Sequence, residues 1–178
     1  PGVQIRIRDP ETGEEAEAGT IGQIEVTGYL TSGYSGASRQ FNDETFTADG
    51  YFKTGDLGSL DVDGRLSFAG RSSEMIKRSG INVSPAEVEE TLQRHGDVAL
   101  AGVTGFDDPG RGEIIVAFVT ARPGAEIVIA EILAHCREHL SRYKVPDHLI
   151  VSDALPLTVT GKLMRRELKL MATAELTS

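Results

Sequence analysis

Lys162 stands in Pro156-Leu157-Thr158-Val159-Thr160-Gly161-Lys162, a loop-like stretch just ahead of a helical pattern. The glycine lets the backbone come close to a ligand. The lysine is a flexible, strongly hydrated point charge, suited to a phosphate or to charge developing on a carboxylate. The threonine hydroxyls can donate hydrogen bonds. The segment is not a P-loop, because the first glycine and the preceding strand are missing. A second segment, Tyr51-Phe52-Lys53-Thr54-Gly55-Asp56-Leu57-Gly58, fixes Asp56 between glycines. A carboxylate so placed can accept hydrogen bonds from the hydroxyls of a ribose. A third runs from Gly70 to Glu89 and sets Arg71, Lys77, Arg78 and Gly80 before a helix start. Singly, each segment has a plain structural reading: a polar turn with a solvated lysine, an aspartate in a turn, a charged connector.

The elements that must position these residues fall into two textures. Up to Gly70 the chain reads as β. Val3, Ile5 and Ile7 alternate with polar residues, Gly22–Gly28 alternates again, and Asp61-Val62-Asp63-Gly64 is a turn before the strand Arg65–Gly70. The stretch from Thr31 to Asn42 reads as a loop. Short strands with frequent turns predict a small β-barrel-like or curled-sheet subdomain over residues 1–70. After Gly70, Ser84-Pro85-Ala86-Glu87 marks a helix start, with Ser84 as cap, Pro85 at the first helical position and Glu87 placed for a capping box. Gly96 is placed to end that helix. Strands are expected at Val98–Phe106, Glu113–Ala121 and His148–Ser152. Ile129, Ile132, Leu133, Cys136 and Leu140 share one helical face, and Leu163–Met171 reads as a short basic helix. This pattern predicts a small α+β domain with a three-stranded sheet core over residues 75–172, after a connector at 71–74 and before a tail at 173–178.

The chain of 178 residues carries a formal charge of −9, with 27 acidic against 18 basic side chains. That balance repels nucleic-acid backbones at long range and argues against a nucleic-acid partner. Cys136 is the single cysteine, so an intrachain disulfide is impossible, which agrees with a cytoplasmic location. No apolar run approaches the roughly 20 residues of a transmembrane helix. The sequence opens at Pro1 directly in a strand pattern, and the expectation is a piece of a longer protein.

The order and spacing of the three segments, together with Gly22-Gln23-Ile24-Glu25-Val26-Thr27-Gly28 and on to Gly33-Tyr34, resemble the later motifs of the adenylate-forming superfamily. Acyl-CoA synthetases, peptide-synthetase adenylation domains and luciferases belong to it. The resemblance runs from about residue 1 to residue 170. It implies a ligase that joins a carboxylic acid to ATP, releases pyrophosphate, and passes the acyl group to a thiol. By that resemblance Lys162 is the lysine that acts in adenylation, and Asp56 and Arg71 contact the nucleotide. Lys77 and Asn82 face the adenylate in thioester formation, and Gly80 lies beside the thiol channel. Ser73 occupies the hinge, where the family usually has Asp or Lys; Gly70 replaces an acidic residue common before the arginine. The domain after residue 74 is expected to alternate between two orientations, one for each half-reaction.

The resemblance further implies ATP with Mg²⁺ and CoA as reactants, no metal site in these residues, and dependence on a preceding N-terminal part of the same chain. The family's Thr/Ser/Gly-rich phosphate loop and its aromatic-Gly-x-Thr-Glu segment are absent from this sequence, so these residues alone are expected to be inactive. Met75–Glu89 looks more like the CoA-ligase form than the peptide-synthetase form. A carrier-protein-loading adenylation domain and a non-catalytic binding module with the same fold are the alternatives. The acid itself is not specified by these residues.

Overall fold

The computed structural model describes residues 2–10, 12–28 and 45–177. The expected Thr31–Asn42 loop and the Gly33-Tyr34 end of the first motif lie outside the described residues. The chain divides into two compact units, Pro1–Ser73 and Glu74–Ser178.

The first unit is an antiparallel sheet with strands β1 (Gln4–Arg8), β2 (Gly22–Thr27), β3 (Phe52–Leu60) and β4 (Leu66–Arg71), paired in that order. It is an open curled-sheet arrangement rather than a closed barrel, with no β1–β4 pairing among the described residues. Ile7, Ile24 and Leu57 supply its buried apolar side chains, whereas Val3 and Ile5 of the alternating β1 pattern remain exposed. The Asp61–Gly64 turn forms as its composition predicts. Asp61 Oδ1 accepts from the N–H groups of Asp63 and Arg65 (2.9 and 2.8 Å), and Gly64 takes φ +76°.

Gly58 lies where three strands crowd together. A Cβ there would sit 2.5 Å from the Ser67 carbonyl oxygen and 2.8 Å from Ile24 Cδ1. Gly58→Ala is therefore expected to cost about 1–3 kcal/mol by overpacking, read as a lowered thermal midpoint.

The second unit begins with a two-stranded hairpin, β5 (Ile76–Arg78) and β6 (Ile81–Val83). Helix α1 (Pro85–Gln93) follows, with Ser84 accepting from the Glu87 N–H (3.4 Å) as its N-cap. The helix closes at Gln93, before Gly96. Strands β7 (Val98–Asp108), β8 (Gly112–Ala121) and β9 (His148–Val151) make the sheet β7-β8-β9, antiparallel then parallel. Helix α2 (Ile129–His139) lies between β8 and β9 in sequence, and α3 (Arg165–Leu176) comes last.

Strand β8 explains the layering. Its Ile115, Ala117 and Val119 join a core with Val88 and Leu92 of α1 and Ile132 and Cys136 of α2. Its Ile114, Val116 and Phe118 join a second core with Leu168 and Ala172 of α3. A strand covered on both faces reads as an unbroken apolar run, as Ile114–Val119 does. Helix α3 starts and ends later than the Leu163–Met171 pattern suggested. Leu163 is spent pairing with Leu157, and the Met164 N–H bonds the Pro156 carbonyl. At the other end Ala172 is buried and Leu176 packs partly against the core, so residues 173–176 of the expected tail are helical.

Burial pushes the Cys136 thiol up to about 11, with the nearby charge of Arg137 offsetting only part of the effect. The thiolate is the reactive form. Cys136 is therefore expected to resist alkylation at pH 8 in the native protein and to react once the chain is unfolded, as mass spectrometry after iodoacetamide would show. The unfolded chain releases the thiol proton near 9 and the folded chain near 11, so this group lowers stability as pH rises between those values. No helix among the described residues is long and apolar enough to cross a membrane.

Candidate functional site

In the first unit, Asp56 and Arg71 face each other across β3 and β4. The β2–β3 register passes from Gln23↔Leu57 to Glu25↔Lys53, so Thr54-Gly55-Asp56 bulges away from β2. Thr54 fastens the bulge: its hydroxyl donates to the Ile24 carbonyl (2.9 Å) and accepts from the Asp56 N–H (3.0 Å). Gly55 supplies the left-handed residue, at φ +75°. Arg71 Nε lies 3.0 Å from Asp56 Oδ1 as an ion pair, but its N–H is not aimed along that line. Asp56 Oδ1 is buried and receives no hydrogen bond among the described residues. A buried acceptor without a donor suits a ligand hydroxyl.

Lys162 ends a tight hairpin in the second unit. The Thr158 carbonyl accepts from the Gly161 N–H (2.9 Å), the Thr158 N–H donates to the Lys162 carbonyl (2.8 Å), and Gly161 takes φ +81°. The Lys162 N–H donates to Thr158 Oγ1 (3.1 Å), which also bonds Thr160 Oγ1 (2.9 Å). This is a three-residue turn closed by a left-handed glycine. Backbone and threonine bonds hold it, so the lysine side chain is not needed for the turn itself. The side chain is exposed and makes no ion pair among the described residues.

Lys77 and Asn82 are a cross-strand pair on β5 and β6, both exposed. Ser79 and Gly80 form the two-residue turn between them, at φ +50° and +83°, the pattern of a type I′ hairpin. The Lys77 N–H donates to Glu113 Oε2 on β8 (2.6 Å), which tethers the hairpin to the sheet. Nothing lies within 4 Å of where a Gly80 Cβ would be, so in this structure its backbone conformation is what favours glycine. Ser73 is exposed, in the 3-10 turn Ser72–Glu74. The structure thus pairs Asp56 with Arg71 and Lys77 with Asn82. No hydrogen bond among the described residues joins the Lys77–Asn82 pair to the Lys162 hairpin.

Two features were not anticipated from sequence. The first is an ion pair between the buried Glu89 of α1 and the half-buried Arg165 at the start of α3. Glu89 also accepts from the Val103 N–H (2.8 Å), while Arg165 donates to the Val103 carbonyl (3.1 Å) and to Glu74 Oε2 (3.3 Å). Burial works against the Arg165 charge, but Glu89 and then Glu74 more than offset it and hold the guanidinium above its usual range. The second is a cleft of about 430 Å³ lined by Arg78, Arg137, Arg142, Val145, Pro146 and Asp147. Arg78 donates to Asp147 (2.8 Å) and to the Val145 carbonyl (2.9 Å). Arg137 and Arg142 make no hydrogen bond or ion pair among the described residues, which leaves two charges for an anion.

Residues 87–162 match the AMP-binding enzyme C-terminal domain. Over that segment the chain belongs to the adenylate-forming superfamily. It is 39% identical over 157 residues to a sulfoacetate–CoA ligase of Cupriavidus necator, covering 88% of this chain and 31% of that protein. It is 33% identical over 169 residues to a mitochondrial medium-chain acyl-CoA ligase, ACSF2, of Danio rerio, covering 95% of this chain and 28% of that one. Among solved structures it resembles ATP-bound MatB of Rhodopseudomonas palustris, with TM-score 0.88 and 34% identity over 96% of this chain and 34% of that one. The chain thus spans about three-tenths of the length of these curated adenylate-forming relatives. The described residues contain no His, Cys, Asp and Glu group suited to a metal ion.

Proposed function

We propose that the whole protein is an AMP-forming acid–thiol ligase that makes an acyl-CoA, with this chain as its C-terminal part. The observation that carries this reading is Lys162. It is an exposed ammonium without an ion-pair partner among the described residues, on a hairpin held by backbone hydrogen bonds, within a segment that matches the AMP-binding enzyme C-terminal domain. In the first half-reaction a carboxylate oxygen attacks the α-phosphorus of ATP, and the bond to pyrophosphate breaks. Lys162 stabilises the negative charge that spreads over the carboxylate and α-phosphate oxygens. Asp56 accepts from the ribose hydroxyls, with Arg71 beside it. In the second half-reaction a thiol sulfur attacks the acyl carbon and AMP leaves. Lys77 and Asn82 flank the adenylate at that stage, and Gly80 keeps the thiol's path open.

Rotation about Ser73 exchanges the two faces, since a hinge needs backbone tolerance rather than charge. Mg²⁺ would arrive with ATP. This chain alone does not turn over, because its sequence holds no phosphate loop. CoA fits the acceptor role because it carries phosphates that the Arg137 and Arg142 charges would attract. Arg137→Ala and Arg142→Ala are expected to raise KM for CoA about tenfold each, with pyrophosphate exchange unchanged.

The test is acid-dependent ATP–pyrophosphate exchange by the full-length protein over a panel of short and medium alkanoates, aryl acids and sulfonated acids. Thioester formation is then compared with free CoA and with a phosphopantetheinylated carrier protein. Exchange followed by turnover on free CoA supports the reading. Absence of exchange with every acid points to a non-catalytic module, and turnover on the carrier alone to a loading domain.

A further inference from the structure

Arg165 lies three positions after Lys162, at the first turn of α3, and its guanidinium makes four hydrogen bonds among the described residues. Glu89 takes it through both carboxylate oxygens, and the Val103 carbonyl takes a further bond. Val103 sits on β7, the outer strand of its sheet, and the same Glu89 carboxylate satisfies its N–H. The pair thus seats the start of α3 on the edge of β7 at one register. The Met164 N–H bond to Pro156 and the Leu157–Leu163 bridge tie the Lys162 hairpin to that seat. Leu163 and Leu168 close over Gly102, which has no side chain to hold them off. A third carboxylate, Glu74, comes from the turn at Ser72–Glu74. Its side chain is 35% exposed, against 9% for Glu89. Glu89 therefore belongs to the core, while the bond to Glu74 contributes little to stability. That bond joins the residue directly after Ser73 to the residue that anchors the Lys162 hairpin.

We propose that Arg165 is the positioning residue for Lys162, and that the Glu74–Arg165 bond ties this positioning to the turn at Ser72–Glu74. The proposal rests on the role given to Lys162 above. Breaking the Glu74 tie leaves the Glu89 seat and the fold intact but frees the turn at Ser72–Glu74 from the residue that anchors the Lys162 hairpin, and small displacements of a reacting group are costly in rate.

The experiment uses the full-length enzyme with Glu74→Ala and Arg165→Lys, each alone and combined with Lys162→Ala. Pyrophosphate exchange, thioester formation from a synthetic acyl-adenylate plus CoA, and thermal midpoint are measured on each. Glu74→Ala is expected to lower exchange kcat about tenfold. KM for ATP, thioester formation and the thermal midpoint stay at wild-type values, and in the Lys162→Ala background there is no further loss. Arg165→Lys, which keeps the charge but loses the two-pronged bond to Glu89, is expected to lower exchange the same way and to spare thioester formation, now with a lowered thermal midpoint because the Glu89 pair is weakened. Exchange within about twofold of wild type for Glu74→Ala, equal loss in both half-reactions, or an additional loss on top of Lys162→Ala overturns the proposal. Should Lys162→Ala itself retain exchange, the reading of Lys162 fails and the proposal falls with it.

Discussion

Lys162→Ala in the full-length enzyme is expected to lower ATP–pyrophosphate exchange by about 10²–10³-fold, with the thermal midpoint unchanged. The size follows from what is removed. In the role proposed for Lys162, one full charge leaves the place where negative charge builds between carboxylate and α-phosphate. The unchanged midpoint follows from how the hairpin is held. The bonds between Thr158 and Gly161, and those between Thr158 and the Lys162 backbone, survive the substitution. The side chain is exposed and supports nothing else among the described residues. A drop in exchange that came with a matching drop in thermal midpoint would assign Lys162 to the fold instead.

Glu89→Ala is expected to destabilise the second unit by about 2–3 kcal/mol, since a half-buried guanidinium loses its main partner and a buried N–H its acceptor. Two groups lose their partner at once. The Arg165 guanidinium keeps only the Val103 carbonyl and the more exposed Glu74, and the Val103 N–H loses its acceptor. Urea unfolding followed by the helical circular-dichroism signal measures the effect. A loss of about 1 kcal/mol or less would place the pair among surface ion pairs. Replacing both partners with apolar residues of similar volume is expected to recover much of the loss, because the stranded charge is then gone.

What the sequence conveyed, and what it did not, follows from how far apart the interacting residues lie. The cap at Ser84, the turn at Asp61–Gly64 and the glycine-closed hairpin before Lys162 are set by neighbours a few positions away. Their residue types therefore announce them. The unbroken apolar run of β8 likewise announces a strand covered on both faces. Asp56 opposite Arg71 was legible only as two residues of a family pattern; the bulge and strand register that bring them to 3.0 Å are not written locally.

Glu89 gave no signal, because a glutamate on a helix reads as solvated and its partner Arg165 is 76 positions away. The same holds for Arg78 and Asp147, 69 positions apart, and hence for the basic cleft between them. Val3 and Ile5 misled in the other direction. Their alternation matches a half-buried strand, yet in this chain they stay exposed and only Ile7 of that strand is buried. The end of α3 was misplaced because Ala172 and Leu176 extend the helix through packing rather than through local preference.

We propose that Lys162 serves adenylate formation and not the step after it, with the two half-reactions using different faces of the second unit. The most direct measurement supplies the Lys162→Ala full-length enzyme with a synthetic acyl-adenylate of an accepted acid and with CoA, and follows thioester formation in a single turnover. The expected result is a rate within about twofold of wild type, alongside exchange that is nearly abolished. Loss of thioester formation to the same extent as exchange would contradict the claim.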